Sequence, residues 1–116
     1  MQRELLKSKL HRARITGTDL AYEGSITVDP ALLSAADIAP HEKVQVVNVT
    51  NGERLITYAI EGEPGEGELR LNGAAARLGE VDDVAIVLSF GHYGPDDDHN
   101  PTVVYVDDDN GVARTE

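Results

Sequence analysis

Few residues in this chain have side chains suited to covalent or acid–base chemistry. The chain has no cysteine, which excludes disulfides, thiolate metal sites and a cysteine nucleophile. No serine stands in a G-x-S-x-G context, and the four histidines do not have the spacing of a nucleophilic triad. Ordinary hydrolase motifs are therefore absent, and the remaining candidates are a glycine–serine pair and several polar residues in strand patterns.

The glycine–serine pair lies in the stretch YEGSITVD, which begins at Tyr22. Ile26 and Val28 alternate with polar residues, so a half-buried strand is predicted directly after Ser25. Two interpretations of Gly24–Ser25 are open: a turn that begins the strand, or a peptide bond that itself reacts. Glycine suits the second, because it has no side chain to block an attack and tolerates strained backbone angles.

Several further polar residues occupy positions where ordinary strand residues would serve. Lys9 and His11 share one strand face because side chains alternate with a period of two, and Arg54 and Tyr58 share a face by the same rule. Taken singly, each is more often a surface residue or a satisfied core residue than a catalytic one. The remaining members of this group are Tyr22, Thr57 and Asn72.

Three acidic segments are candidate ligand sites. HYGPDDDH at His92 has side chains that bind metals, but a solvated acidic turn after a strand is the favoured interpretation. VDDDNG at Val106 resembles the start of an EF-hand loop, yet the required glutamate would fall beyond Glu116. The carboxylates of EGEPGEGE would repel a phosphate, so a loop is predicted there. We expect no metal cofactor.

The elements that must position these residues are short strands. Strands are predicted over 9–16, SITVD, KVQVVNVT, ERLITYAI and LRLNG, with DDVAIVLSF buried on both faces and PTVVYVD as the last. A short helix is predicted at Pro30 with Asp29 as its N-cap, and AAARL forms a helical turn. Asn51–Gly52 predicts a hairpin turn, because both residues tolerate positive φ. About seven strands and two short helices indicate a small closed β-barrel or a β-sandwich.

Length and charge restrict the classes of function. The 116 residues fit one domain, spanning 1–116, with little room for a deep private active site, so an enzyme pocket between subunits is expected. The net charge of −11 argues against nucleic-acid binding. No apolar run is long enough for a membrane span and no signal peptide is visible, so we expect a cytoplasmic protein without membrane partners.

The charge is unevenly distributed along the chain. Five of the ten basic residues lie within the first 14 positions, whereas the segment from His92 onward has seven acids and only Arg114 as a base. Two solvated surfaces of opposite sign explain this most simply. The alternative is that the basic first strand attracts an anionic small molecule, and charge alone does not decide between the two.

Longer segments of the chain resemble a known family. KLHRARIT, DLAYEGSITVD, SAADI, NVTNGERLITYAI and LNGAAARLGEVDDVAIV are similar, in order and without evident gaps from about Lys9 to Phe90, to the pyruvoyl-dependent aspartate 1-decarboxylases. YEGS, NVTNG with TYAI, and NGAAA are the most specific pieces. The resemblance implies a small double-psi β-barrel of six or seven strands with short helices, assembled as a homotetramer with active sites between subunits.

The same resemblance implies that the chain cuts its own Gly24–Ser25 bond. The products would be residues 1–24, the beta chain, and residues 25–116, the alpha chain, whose first residue becomes a covalent pyruvoyl group derived from Ser25. In such enzymes a Schiff base to this group takes up the electrons released with carbon dioxide, as pyridoxal phosphate does elsewhere. The implied enzyme is a carboxy-lyase that converts L-aspartate to β-alanine and feeds pantothenate and coenzyme A synthesis.

Residue roles also follow from the resemblance. Arg54 would bind a substrate carboxylate, with Lys9 as a second positive charge, and Tyr58 would donate the proton to the carbanion. Thr57 and Asn72 would orient the pyruvoyl group, and Tyr22 and His11 would assist processing or shape the site. The backbone near the substrate would be that of Gly73, Ala74 and Ala75.

The chain also departs from this family. Val47 stands where an aromatic residue is expected in many relatives, which bears on pocket packing and substrate affinity, and Arg77 stands where many have histidine. Arg77 and the acidic segment after Phe90 bear on assembly or on recognition by the maturation protein that some members need. Two alternatives stay open: decarboxylation of another small acidic or sulfur-bearing amino acid, and an unprocessed barrel that acts as a binding module.

Overall fold

The computed structural model describes all residues from Met1 to Glu116 and confirms the mainly β class. It has nine strands and two short helices. The strands are β1 (Arg3–Arg14), β2 (Gly17–Asp19), β3 (Ser25–Val28), β4 (Lys43–Asn48), β5 (Arg54–Glu61), β6 (Leu69–Asn72), β7 (Val84–Tyr93), β8 (Thr102–Val106) and β9 (Val112–Thr115). The helices are α1 (Pro30–Ala35) and a 3₁₀ helix (Gly73–Leu78). Neither helix is long and apolar enough to cross a membrane.

All nine strands belong to one mixed sheet, ordered β2-β6-β3-β5-β4-β7-β1-β8-β9. The pairs β1/β8, β2/β6 and β3/β5 are parallel and the others antiparallel. A barrel-like sheet is consistent with this order, but no pairing between the two end strands closes it. The closed double-psi barrel therefore stays a prediction.

One apolar core fills the inner face of the sheet. Alternate residues of β4 and β7 point into it, as a strand period of two requires, and α1 adds Leu32 and Leu33. In β1 the core residues Leu10 and Ala13 are three apart, because the register shifts between them. Its largest fully buried apolar side chains are those of Leu10, Ile15, Ile26, Leu32, Leu69 and Leu71. The other sheet face carries polar residues and exposed apolar ones, among them Ile56 with 64% of its surface accessible. That outer face is where several candidate residues lie.

Helix α1 begins where the sequence predicts, with Asp29 as its N-cap. One Asp29 carboxylate oxygen accepts from the Ala31 N–H at 2.9 Å, which satisfies a helix N-terminal donor. The other accepts from the Gly67 N–H at 2.7 Å and so joins the helix to the loop before β6. This buried carboxylate therefore sets both the helix start and the approach to β6.

The predicted hairpin between β4 and β5 is present, with a turn at Asn51–Gly52. Of the two turn residues only Gly52 has a positive φ, of +80°. The Asn51 side-chain oxygen instead accepts from the Glu53 N–H at 2.8 Å. Asn48 joins the hairpin to the segment between the 3₁₀ helix and β7, because its side-chain amide donates to the Leu78 carbonyl and to the Asp83 carboxylate.

The loop after α1 is tied to the sheet by one carboxylate. Glu42 accepts from Lys7 Nζ at 2.9 Å, from the Ala39 N–H at 3.0 Å and from the Ser89 hydroxyl. Burial raises the pKa of Glu42, but these hydrogen bonds and the Lys7 charge lower it by more, so its pKa lies below the ordinary value. The ionised form of Glu42 therefore links the loop to β1 and β7.

Three sequence predictions about strands are wrong. β1 begins at Arg3 and ends at Arg14, whereas a strand over 9–16 was expected. β7 is not buried on both faces, because half-buried Ile86 and Leu88 alternate with buried Ala85 and Val87. β8 is not the last strand, since the exposed segment Val112–Thr115 pairs with it as β9.

Candidate active site

Ser25 is the first residue of β3 and is completely buried. Its hydroxyl donates to the Glu23 carbonyl at 3.2 Å and accepts from the side-chain amide of Asn72 at 3.0 Å. Asn72 ends β6 and lies directly opposite Ser25 in the antiparallel β3/β6 pair. Two residues that are 47 positions apart in the chain are thus held together by strand pairing.

The Asn72 side chain is the centre of a small buried hydrogen-bond network. Its Nδ2 also donates to Thr27 Oγ1 at 2.8 Å, and its Oδ1 accepts from Arg70 Nε at 3.2 Å. Arg70 in turn forms an ion pair with Glu68 at 3.1 Å. The polar groups of buried Asn72 are therefore satisfied by side chains, as burial requires.

Gly73 packs against the backbone of Gly24. Its φ is +66°, and a Cβ at this position would lie 2.8 Å from both Gly24 Cα and Gly24 N and 3.0 Å from the Tyr22 carbonyl oxygen. By contrast, a Cβ on Gly24 would meet nothing within 4 Å, and Gly24 has no positive φ. The close approach of the two backbones therefore depends on Gly73, whereas the expectation that glycine at position 24 leaves its carbonyl open to attack stays a prediction.

Tyr58 lies beside Ser25 in the sheet. β3 pairs in parallel with β5, with Ile26 opposite Ala59, so one step back along both strands brings Ser25 next to Tyr58. The Tyr58 ring is tilted against that of His41, with 6.2 Å between centroids. Thr57 points to the opposite face, paired with buried Val44, and no hydrogen bond joins its side chain to Ser25.

Arg54 and Lys9 also lie on the outer face of the sheet, but apart from Ser25. Arg54 is four residues before Tyr58 in β5, which is about 13 Å along a strand. Lys9 is on β1, four strand steps from β3 in the sheet order, or about 19 Å along the sheet. Neither side chain has an acidic partner within 4.0 Å in a chain with 21 acidic residues. Both charges are therefore free to bind a ligand.

The remaining predicted site residues lie at different depths. Tyr22 is 47% exposed and lines a cleft of about 340 Å³ together with Thr27, Glu68 and Arg70. Ala74 is exposed at the start of the 3₁₀ helix. Ala75 is buried and belongs to the apolar core, so its small side chain serves packing within this chain.

His11 lies in a separate cleft on the outer side of β1. Its ring meets the Tyr105 ring edge-on, with 5.5 Å between centroids, and its Nδ1 is buried without a hydrogen-bond partner. Burial, reinforced by the charges of Lys9 and Arg12, lowers the pKa of His11 below its ordinary value. The lowered pKa favours the neutral ring, and no hydrogen bond joins His11 to Ser25.

The acidic segments do not form a ligand cluster. No three histidine, aspartate or glutamate side chains come close enough together to bind one metal ion. His92 of HYGPDDDH lies on β7, 3.7 Å from Glu4, and Asp107 of VDDDNG accepts from the N–H groups of Asp109 and Gly111. The first segment begins at the end of β7, and the second forms the turn between β8 and β9.

Two members of the Ser25 network were not singled out from the sequence. Thr27 and Arg70 both contact Asn72. The available signal was a spacing of two residues. Thr27 lies two residues after Ser25, and Arg70 lies two residues before Asn72, so each pair shares a strand face. That signal is weak, because it does not identify which strands pair.

Comparison with known proteins gives consistent results along the chain. The family model described as aspartate decarboxylase matches residues 1–113. The aspartate 1-decarboxylase of Haloquadratum walsbyi is 60% identical over 116 residues, covering 100% of both chains. Those of Salinibacter ruber and Thermoanaerobacter pseudethanolicus are 52% and 51% identical, covering 99% and 95% of this chain and 80% and 96% of their own.

Proposed function

Because this chain belongs to the aspartate decarboxylase family, we propose that it converts L-aspartate to β-alanine and carbon dioxide for pantothenate and coenzyme A synthesis. Its membership confirms the resemblance found in YEGS, NVTNG and NGAAA. The observation that supports the chemistry best is the buried Ser25–Asn72 pair, with Gly73 packed against Gly24. The cytoplasmic location expected from the sequence stays a prediction.

We propose that Ser25 is the source of the catalytic carbonyl. Its Oγ attacks the Gly24 carbonyl carbon, the amide nitrogen leaves as an amine, and an ester replaces the amide. Loss of the Cα proton of residue 25 then expels the Gly24 carboxylate and leaves a dehydroalanine. One water is consumed and ammonia is released, giving residues 1–24 with a new carboxylate and residues 25–116 with a pyruvoyl N-terminus.

The surroundings of Ser25 suit this group. Ser25 is fully buried, so the carbonyl would be shielded from water, and Asn72 and Thr27 offer polar contacts beside it. Gly73 provides a close backbone cradle that any Cβ would fill. When formed, the pyruvoyl group supplies a carbonyl that accepts the electron pair left by carbon dioxide.

The other residues bind the substrate and move a proton. Arg54 has no acidic partner and offers two parallel donors to a substrate carboxylate, and Lys9 adds a second free positive charge. Tyr58 lies next to Ser25 across the β3/β5 pair and would donate the proton to the substrate carbon. The backbone at Gly73 and Ala74 would line the substrate site, with Thr57, Tyr22 and His11 in supporting roles.

These residues can act together if the site is shared between copies of the chain. Lys9 lies about 19 Å along the sheet from the strand of Ser25, too far to share one small substrate within a copy. Ile56 is exposed on the same outer face. It is the first of a row of paired residues that crosses β5, β4, β7 and β1 and continues through Gln45, Leu88 and Lys9. We therefore propose a homotetramer in which Lys9 of one copy approaches Ser25 of another.

The cleavage is tested by denaturing mass spectrometry of the purified chain during warming. We expect two fragments, residues 1–24 and 25–116, the second blocked at its N-terminus. Ser25→Ala should fold and stay intact, whereas exposed Ser34→Ala, the matched control, should cleave normally. A wild-type chain that remains intact and does not turn over aspartate would exclude the proposal, and cleavage only in lysate would assign that step to a maturation protein.

Sharing of the site is tested by mixing two inactive variants. Lys9→Ala and Tyr58→Phe chains that are refolded or expressed together should regain up to about a quarter of wild-type activity, because some mixed sites carry neither change. Light scattering should give the mass of four chains. Activity that stays at the level of the separate variants would place both residues in one copy.

The substrate alternative is tested by comparing kcat/KM across amino acids. Aspartate should exceed glutamate and cysteine sulfinate, because Arg54 and Lys9 favour a short carboxylate side chain. Val47 lies opposite Arg54 in the β4/β5 pair, so Val47→Trp should change KM for aspartate more than kcat. A higher kcat/KM for another amino acid would transfer the assignment to that substrate.

A further inference from the structure

Arg70 is the only charged side chain that forms a hydrogen bond with Ser25, Thr27 or Asn72. It lies in β6 between Glu68 and Asn72, two residues from each, so all three point to the same side of the chain. Its Nε donates to Asn72 Oδ1 at 3.2 Å and its Nη1 pairs with Glu68 at 3.1 Å. The guanidinium therefore donates to Asn72 through one nitrogen and pairs with the Glu68 carboxylate through another.

This contact decides which way the Asn72 amide points. Ser25 and Thr27 carry hydroxyls, which can donate or accept, so neither selects one end of the amide. A guanidinium can only donate, so Asn72 must turn Oδ1 toward Arg70 and Nδ2 toward Ser25. The Ser25 hydrogen is then directed to the Glu23 carbonyl, and the position of its Oγ is fixed by two partners.

Water does not reach the side chains that Arg70 orders while Arg70 covers the cleft beside them. Asn72, Ser25 and Thr27 are all buried, with exposed fractions of 0%, 0% and 2%. Without the Nε donor, Asn72 Oδ1 would lack a partner and the amide would gain by flipping toward the Ser25 hydroxyl. A flipped amide would accept the Ser25 hydrogen and release the hydroxyl from the Glu23 carbonyl.

We propose that Arg70 is a positioning residue for cleavage of the Gly24–Ser25 bond, acting through Asn72. The inference rests on the proposed self-cleavage and adds a residue to it. Arg70 forms no hydrogen bond with Gly24 or Ser25, so it is not assigned a part in bond making. Its effect is to keep the Ser25 oxygen in one orientation while that oxygen attacks the Gly24 carbonyl carbon.

A matched pair of substitutions separates the hydrogen bond from the charge. Glutamine has its Nε2 the same number of bonds from Cα as the Nε of arginine, so Arg70→Gln keeps a donor and loses the charge. Arg70→Met places a methyl group at that point. We expect Arg70→Met to slow cleavage roughly tenfold, the effect of one hydrogen bond to a buried group, and Arg70→Gln to stay within about threefold of wild type.

The rate is measured by mass spectrometry of freshly purified chains, with Arg70→Ala as a second variant that lacks the donor. Melting temperatures are compared in the Ser25→Ala background, where no cleavage interferes, and should agree within about 3 °C. Wild-type rates for both Arg70→Met and Arg70→Ala would overturn the inference. Equal slowing of the Met and Gln variants would also overturn it, since the charge would then matter and not the donor.

Two further results keep this test distinct from that of the proposed function. If wild type does not cleave, the self-cleavage itself fails. If wild type cleaves and Glu68→Gln slows cleavage as much as Arg70→Met, the ion pair and not the Asn72 contact carries the effect. Cleavage in the order wild type, Gln, then Met and Ala supports Arg70 as the residue that orients Asn72.

Discussion

At the residue scale, the two glycines in contact near Ser25 have unequal steric needs. Gly73 has a positive φ and no room for a Cβ, because Gly24 and the Tyr22 carbonyl fill that space. Gly24 has neither restriction within one chain. The position that looks special in the sequence is therefore less constrained than its contact partner 49 residues later.

Alanine at each position should have different effects. In the Ser25→Ala background we expect Gly73→Ala to lower the free energy of unfolding by about 1–3 kcal/mol, from a strained φ and a backbone clash. Gly24→Ala should change it by less than about 0.5 kcal/mol. Urea unfolding of both variants measures this, and equal losses would mean that Gly24 is crowded by another copy of the chain.

The residues of the site could be named from the sequence only by resemblance. Ser25 and Asn72 meet because β3 and β6 pair, and no periodicity in either segment indicates that pairing. Arg70 had no signal beyond its spacing from Asn72. The sequence shows that Lys9 and Arg54 are basic residues. Whether an acidic side chain lies next to them depends on the tertiary structure, so it could not be predicted.

At the element scale, an element is predictable when residues close together in the chain determine it, as the N-cap of α1 shows. Asp29 before Pro30 predicts α1 because both residues act within one helical turn. The exposed strand β9 has no apolar alternation of its own, so only its pairing with β8 makes it a strand. The half-buried residues of β7 misled the prediction because the outer face beside them is also partly apolar.

The Glu42 contacts give the loop after α1 a dependence on pH. Since the pKa of Glu42 is lowered on folding, its contribution is complete above the ordinary pKa near 4.5 and is lost as the pH falls through the lower folded value. Glu42→Gln should lower stability by about 1–2 kcal/mol at pH 7 and flatten the loss below pH 4.5.

Thermal unfolding at several pH values measures this dependence. Exposed Glu66→Gln is the control, because the Glu66 side chain forms no hydrogen bond, and it should follow wild type. A Glu42→Gln curve parallel to that of wild type would show that the carboxylate charge does not hold the loop.

At the scale of the whole molecule, the net charge of −11 opposes folding through self-repulsion. Acidic residues cluster at exposed loops, including Asp96, Asp98 and Asp109, while few bases lie nearby. Dissolved salt screens such repulsion over distances longer than about 10 Å at 0.1 M. The fold should therefore be more stable in concentrated salt.

Raising KCl from about 0.05 M to above 1 M should raise the melting temperature by at least about 4 °C, or about 1 kcal/mol for a domain of this size. The protein concentration is held constant, because assembly also affects melting. A variant with Asp96, Asp98 and Asp109 changed to asparagine should respond less to salt. An equal response would assign the effect to general salting-out and not to charge.

The position of β1 determines what happens to the shorter product if the Gly24–Ser25 bond is cut. β1 lies between β7 and β8, and β2 is paired with β6, so residues 1–24 supply an interior strand and an edge strand of the sheet. The fragment would therefore stay bound without a covalent link. The uncut chain folds as a single molecule. After the cut, unfolding would separate the two fragments, and refolding would then require them to associate in a bimolecular step.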